Sequence, residues 1–403
     1  MTALIEQALA SNNNIAAAQG RLRSARAALE AADGARLPTI GITGQAVRQE
    51  DVKGPTVDSK NYRLGIDAAW EVDIFGKLRN SALATDLALR NSEASLYDMQ
   101  RLIAAEVALN YMNLRDAQAR LGSAKANLEI QQENLQIASW RNQAGLGDTL
   151  EVEQARTVVA QTKAGIPLLD QSIATAIYQI DVLSGKPPGS SLQQLSLHTT
   201  LLPIPPEVIG VGLPAQLLTR RPDVLAAQHT LEAEVIRIGV TQADLYPALR
   251  LSGSLNTSSV TMGGLFDSTV SSLIAGVTAP VFQGGQIRAR IEQQQGSADV
   301  ALANYRSAIL IALQDVENAL VAINTSRSRE AALADAEQAA LSSLQLAEIR
   351  YQNGAIDFQT LLDAQRNLLS VQDNKISASS SRNTAAVQLF KALGGGWTAP
   401  QSL

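Results

Sequence analysis

The chain has 403 residues, of which 46% are hydrophobic, 18% charged and only 4% aromatic, with a formal net charge of -5 and no cysteine. The lack of cysteine excludes disulfides, thiolate metal sites and thiol catalysis, and the mild negative charge leaves no electrostatic footprint for nucleic acid. Few aromatics beside abundant Ala, Leu, Gln, Glu and Arg favour long helices packed side by side, because these side chains lose little rotamer freedom in a helix.

In chain order, Met1-Thr-Ala-Leu-Ile-Glu-Gln shows no basic segment followed by an apolar stretch, so no signal peptide is expected in these residues. No run approaches the ~20 apolar residues of a spanning helix, so a helical membrane protein is not expected. From Asn14 to Arg36 the residues Ile15, Ala18, Leu22, Ala25 and Leu29 recur at spacings of three and four. This predicts an amphipathic helix, halted before Pro38, which disfavours helix in the residue ahead of it.

After Pro38 the period changes to two. Ile40 and Ile42 share one face, and Tyr62, Leu64, Ile66, Ala68 and Trp70 oppose Arg63, Asp67 and Glu71. Further on, Leu249, Leu251 and Leu255 oppose Arg250, Ser252, Ser254 and Asn256, while Leu273, Ala275 and Val277 oppose Ser272 and Thr278. The pattern predicts β-hairpins over 38–73 and 247–282. One reading is a sheet over a water-soluble core. The other is a membrane barrel: strands of about ten alternating residues cross a bilayer when tilted, and Tyr62 and Trp70 stand where interfacial aromatics sit. The flanking segments read as self-contained helices, which leaves nothing to cover the apolar face. On the barrel reading Ile40, Ile42, Leu64, Ile66, Trp70, Leu249, Leu251 and Leu273 face lipid. Open sheet edges are not tolerated there, and barrels begin near eight strands, so closure requires several chains.

Residues 77–143 contain no proline and almost no glycine, enough for a helix of about 100 Å at ~1.5 Å per residue. Gly145 and Gly147 break it, Asp148 is placed as an N-cap, and helix returns over 149–183. The same order follows over 286–352, Gly354, Asp357 and 358–393, predicting long antiparallel helical hairpins packed as coiled coils.

The two halves are copies. Pro38 and Pro247 differ by 247 minus 38, or 209, and that offset also pairs Gly44 with Gly253, Gly76 with Gly285, Arg79 with Arg288, Arg141 with Arg350, Gly145 with Gly354, Asp148 with Asp357 and Gly185 with Gly394. Chance similarity does not hold register this long. The expected organisation is repeat 1 over 1–185, a Pro-rich linker over 186–212, repeat 2 over 213–394 and a tail over 395–403. His198 and His229 read as surface or packed residues, and Gly284-Gly285 and Gly394-Gly-Gly396 as element ends without the spacing of a dinucleotide fingerprint. No catalytic cluster, cofactor site or metal site is expected, and hence no enzyme.

Ala69-Trp70-Glu71-Val-Asp73-Ile-Phe75-Gly76-Lys-Leu-Arg79, Arg221-Pro222-Asp223, Leu245-Tyr246-Pro247 and the closing Ala392-Leu-Gly-Gly-Gly-Trp397 resemble the outer-membrane factor family. These are the TolC-like exit ducts, and the motifs fit the branch of efflux lipoproteins that includes NodT. The resemblance implies an α+β membrane protein of the Gram-negative outer membrane that extends into the periplasm. It implies a homotrimer with a twelve-stranded β-barrel in outer-membrane lipid and a twelve-helix α-barrel, four strands coming from each chain. The linker and tail would lie in an equatorial belt. A periplasmic adaptor and an inner-membrane pump, commonly of the resistance-nodulation-division type, are the implied partners. The implied function is passive outward passage of drugs, metabolites or metal ions. Members of the branch usually carry a lipid-bearing N-terminal Cys, which this sequence lacks.

The resemblance also places Asp363 at the position whose carboxylates ring the closed periplasmic aperture. Three converging carboxylates would favour cations and raise one another's pKa. Arg366, one turn on, could pair with a carboxylate across the interface. Glu151 and Arg156 are the gate candidates of the first tip, with Arg350 and Tyr351 as latch partners of the second. The small turns Gly145-Leu146 and Gly354-Ala355 suit contact with an adaptor. Asp148 and Asp357 read as helix caps. A type I secretion duct of the same fold, and a soluble coiled-coil scaffold or adaptor, are the alternatives.

Overall fold

A computed structural model describes residues 1–49, 59–196, 203, 205–206 and 221–395. His198, about half of the expected linker, and the tail from 396 with Trp397 lie outside the described residues. The chain opens with two helices, α1 (Thr2–Ser11) and α2 (Asn13–Gly34), where the pattern predicted one from Asn14. Asn12 separates them. Its backbone is extended and its Oδ1 accepts from the Asn14 and Ile15 amides, so it caps α2. The strands β1 (Thr39–Gln49) and β2 (Ser59–Val72) follow, then α3 (Lys77–Gln143), α4 (Thr149–Leu183) and a short α5 (Leu192–Leu195). The second half repeats the order with α6 (Pro222–Ala243), β3 (Ala248–Ser259), β4 (Thr269–Thr278), α7 (Gln286–Gln352) and α8 (Phe358–Ala392).

The compact units cut across the repeats. One gathers Gln19–Ser95 and Asp223–Ala308, the other Met1–Ala18, Leu96–Pro222 and Ile309–Leu403. The first contains a four-stranded antiparallel sheet in the order β1-β2-β3-β4. Paired residues share a face, so the registers Ile42–Ile66, Ile66–Leu255 and Gly253–Leu273 join the predicted apolar positions into one continuous surface. That surface is bare: Ile40, Ile42 and Leu273 are 75%, 77% and 85% exposed. The opposite face carries hydrogen bonds, Thr43 Oγ1 to Asp67 at 2.8 Å and Ser254 Oγ to Ser272 Oγ at 2.7 Å, with Arg250 and Glu71 paired at 3.2 Å. Val47, Val270 and Ile274 are apolar residues that fall on this polar face by the same registers. Below the sheet, Phe75 stacks on Tyr246 with ring centroids 4.7 Å apart and Lys77 Nζ meets Asp244 at 2.6 Å, which joins repeat 1 to repeat 2.

Beside a smaller apolar cluster of Val316, Ala319, Leu389 and Ala392, two larger ones organise the helices of the other unit. One joins Leu114, Leu121, Ile173, Ile177, Ile180 and Leu195. The other gathers Ala138, Ala155, Val158, Leu344, Tyr351, Phe358, Leu361 and Leu368, and therefore includes side chains from both helical hairpins. The repeat is visible in its ties. Asn12 Nδ2 donates to the Leu183 carbonyl at 2.8 Å, and the residue 209 positions on, Arg221, donates to the Ala392 carbonyl at 3.3 Å. Buried Arg221 also pairs with Asp315 at 3.0 Å. By length and composition α7 includes a stretch that would pass for a membrane-spanning helix, against the expectation from composition, but only 17% of it is buried. It is part of a 67-residue helix, and exposed Leu310 and Ile311 belong to an apolar face left uncovered by this single chain.

Candidate functional site

The candidate site is the pair of turns that close the two helical hairpins. At the first, Gly145 takes φ +71°, the Leu146 amide donates to the Arg141 carbonyl at 2.8 Å and the Gly145 amide to the Asn142 carbonyl. At the second, Gly354 takes φ +69°, with the Ala355 amide on the Arg350 carbonyl at 2.8 Å and the Gly354 amide on the Tyr351 carbonyl. Glycine is required because the left-handed region costs other residues about 1–2 kcal/mol. Asp148 then accepts from the Leu150 amide at 3.2 Å, and Asp357 from the Thr360 amide at 2.9 Å and from the Thr360 hydroxyl. Those Thr360 bonds hold the Asp357 carboxyl below the usual carboxylate range.

The two turns meet through Tyr351. Its ring is buried, lies 5.4 Å from the Phe358 ring and takes the Arg141 guanidinium on its face at 4.7 Å. Its hydroxyl donates to Glu151 Oε2 at 3.3 Å. Burial, and after it the Glu151 charge, push the Tyr351 hydroxyl above its ordinary pKa, while Arg141 opposes this. The structure thus brings Tyr351 and Glu151 together within one chain. Arg141 was not anticipated as a partner. The repeat offset carried a signal, since Arg141 matches Arg350, which stands beside Tyr351 in sequence.

Asp363 and Arg366 stand on one exposed face of α8, 3.8 Å apart, and Gln359 Nε2 donates to Asp363 at 3.1 Å. Within the single chain Arg366 contacts Asp363 of its own helix, because residues three apart on a helix bring their side chains together. With side chains 51% and 60% exposed, the pair contributes little to stability. Arg156 pairs with Glu153 at 3.6 Å, also in the open. Arg350 is exposed, and its carbonyl serves the turn. Leu146, 72% exposed, and Ala355 form the apices.

Farther along the helices, Arg120 bridges α3 to α8, with Asp116 at 2.9 Å and Asp373 at 2.8 Å. Burial pushes the Asp116 carboxyl up, against the pull of Arg120. Arg382 and Ser379 hold Glu330 on α7, and although burial acts against it, these bonds keep that carboxyl below its usual range.

The sequence profile of the outer membrane efflux protein family matches residues 4–186 and 213–395. The chain belongs to this family. A pyoverdine export outer membrane protein, OpmQ of Pseudomonas putida, is 34% identical over 411 residues, covering 98% of this chain and 86% of that protein. A solvent efflux pump outer membrane protein, SrpC of Pseudomonas putida, is 32% identical over 412 residues, covering 99% and 86%. Among solved structures, the outer-membrane channel OprN superposes with a TM-score of 0.90 at 32% identity, covering 98% of this chain and 90% of that one. As an outer membrane efflux protein, the chain is an exit duct of an efflux pump in the Gram-negative outer membrane, extending into the periplasm. Its sheet supplies four strands to a β-barrel and its helical hairpins a share of an α-barrel.

Proposed function

We propose that three copies of this chain close a twelve-stranded barrel and a twelve-helix tunnel, and that the paired turns form its gated periplasmic mouth. The observation that carries the reading is the bare apolar face of a sheet whose strands β1 and β4 each have an outer edge with no partner strand among the described residues. Unpaired edges cannot be left in lipid, and four strands are too few to close. Ile40, Ile42, Leu64, Ile66, Trp70, Leu249, Leu251 and Leu273 then face outer-membrane lipid. The duct conducts without chemistry of its own. A periplasmic adaptor meets the apices Gly145-Leu146 and Gly354-Ala355, and an inner-membrane pump of the resistance-nodulation-division type supplies the cargo. Light scattering in detergent should give a trimer; a monomer stable without detergent would support the soluble scaffold instead.

At the mouth, Asp363 and Arg366 recur three times around the axis. Each carboxylate is tethered by its own helix, so the ring is set by helix position, and removing it widens a cation-attracting constriction. Asp363→Ala with Arg366→Ala should raise single-channel conductance and weaken cation preference in planar bilayers. Unchanged conductance and selectivity would overturn the gate. Leu146→Glu should abolish export in cells while leaving the trimer intact; full export would remove the adaptor role of that apex.

A further inference from the structure

The corner where the sheet meets its helices holds a cavity of about 1040 Å³, lined by the end of α2, the end of β2 and the start of α3. One wall is apolar. Trp70 pairs with Leu251 on the bare face of the sheet, and its Nε1 donates to the Arg36 carbonyl at 2.9 Å, which fixes the ring at the rim. Leu37, Ile74 and Phe75 stand exposed beside it. An indole with an apolar body and a bonded N–H suits the boundary between acyl chains and water.

The other wall is charged, and its charges are not all cancelled in place. Asp73 Oδ2 accepts from the Arg79 amide at 2.7 Å, so this carboxylate serves the backbone at the start of α3. The Arg79 guanidinium lies over Gly76, where a Cβ would stand 3.2 Å from its Nη2 and where the backbone takes φ +76°. Glycine there both turns the chain and leaves the guanidinium its place. Arg36 pairs with Asp33 at 3.4 Å. Arg79 and Glu30 have no ion partner among the described residues, so one cation and one anion line the same cavity unpaired.

Repeat 2 supplies an internal control. At 209 residues on, Gly76 and Arg79 become Gly285 and Arg288, but Glu30, Asp33, Arg36, Trp70 and Asp73 become Gly239, Gln242, Leu245, Ala279 and Phe282. No atom lies within 4 Å of a Cβ at Gly285, so Arg288 does not cover it. The same passage from strand to helix is thus made without the ring or the charges, and the turn does not require them.

We infer that this corner binds the headgroup of a zwitterionic phospholipid, its phosphate on Arg79 and its primary ammonium on Glu30, with the acyl chains along the sheet face that includes Trp70. The site rests on the lipid-facing sheet proposed above and adds to it a specific lipid. The sheet end joined to the helices is the periplasmic one, so the lipid belongs to the inner leaflet. A guanidinium matches phosphate oxygens with two parallel hydrogen bonds, and the unpaired carboxylate favours a headgroup that also carries a cation.

The test is native mass spectrometry on the full chain, purified in detergent, stripped of lipid and given phosphatidylethanolamine. The native chain should retain up to one phospholipid per copy. Arg79→Gln should lower the affinity about tenfold, and Arg288→Gln, its counterpart in repeat 2, should leave it unchanged. Glu30→Gln should weaken phosphatidylethanolamine but not phosphatidylglycerol, which has the phosphate without the cation. Equal retention by native and Arg79→Gln trimers would overturn the site and leave the barrel standing. An equal loss in Arg288→Gln would reduce the binding to general charge attraction and overturn it as well. Displacement of the lipid by inorganic phosphate would give the cavity to a free anion instead. A monomer stable without detergent would remove the lipid-facing sheet, and the site with it.

Discussion

The two hairpin turns share a backbone and differ in what they hold. Gly145 and Gly354 adopt φ angles of +71° and +69°, each is followed by an amide on the carbonyl five residues back, and each leads to an aspartate cap. Across the first turn, however, Asn142 Nδ2 donates to Thr149 Oγ1 at 3.2 Å. The residues 209 positions on are Tyr351 and Phe358, whose rings pack 5.4 Å apart. One crossing is polar and faces water; the other is aromatic and anchors an apolar cluster drawn from both hairpins. Duplication preserved the turn, and divergence at two positions made the second copy the one on which the first rests.

The sharpest way to break that comparison is to give the second turn the first turn's residues. Tyr351→Asn with Phe358→Thr should open the tip by about 3–5 kcal/mol, the cost of emptying a buried aromatic site. Amide hydrogen exchange along 340–368 would read it, and the reciprocal change, Asn142→Tyr with Thr149→Phe, should not restore protection. Next in size, Gly145→Ala and Gly354→Ala should each cost about 1–2 kcal/mol and should match, because no atom lies within 4 Å of a Cβ at either place. Unequal losses would mean that the turns are not equivalent in backbone. Asp148→Ala should cost about 1 kcal/mol through its lost cap, seen as fraying of the first turn of α4.

The smallest effect should come from Tyr351→Phe, which removes only the bond to Glu151, about 0.5–1 kcal/mol. That variant also carries the pH dependence. The folded pKa of Tyr351 is raised, so its contribution is fully present below the ordinary tyrosine value, near 10, and is lost as pH rises through the folded value. Ultraviolet titration should show one late-ionising tyrosine fewer in Tyr351→Phe than in the native chain.

Much of this was legible because its causes are local. The change of period at Pro38 and Pro247 marked the strands, and glycine followed by aspartate marked both turns, since φ and capping are set by neighbours in sequence. The break at Asn12 was missed although a run of three asparagines stood there; an amphipathic period does not reveal a side chain capping the backbone. The contacts of Tyr351 were harder still. Tyr351 and Glu151 are 200 residues apart, and only the faces along which α3, α4, α7 and α8 meet decide that they touch. Asp363 and Arg366 lie three apart in sequence, and that spacing alone brings their side chains together on one helix.

The register of β2 on β3 carries a kinetic consequence. It sets Tyr62 against Ser259, residues separated by 259 minus 62, or 197 positions. Each hairpin can close early on a short loop, but a two-stranded ribbon is marginal alone. The first hairpin must therefore wait for the second to be made before the sheet exists, and during that interval its apolar stripe has neither lipid nor strand to cover it. The long helices, built from local contacts, form fast. Assembly of this duct should be limited by strands that are already synthesised and have nothing yet to join.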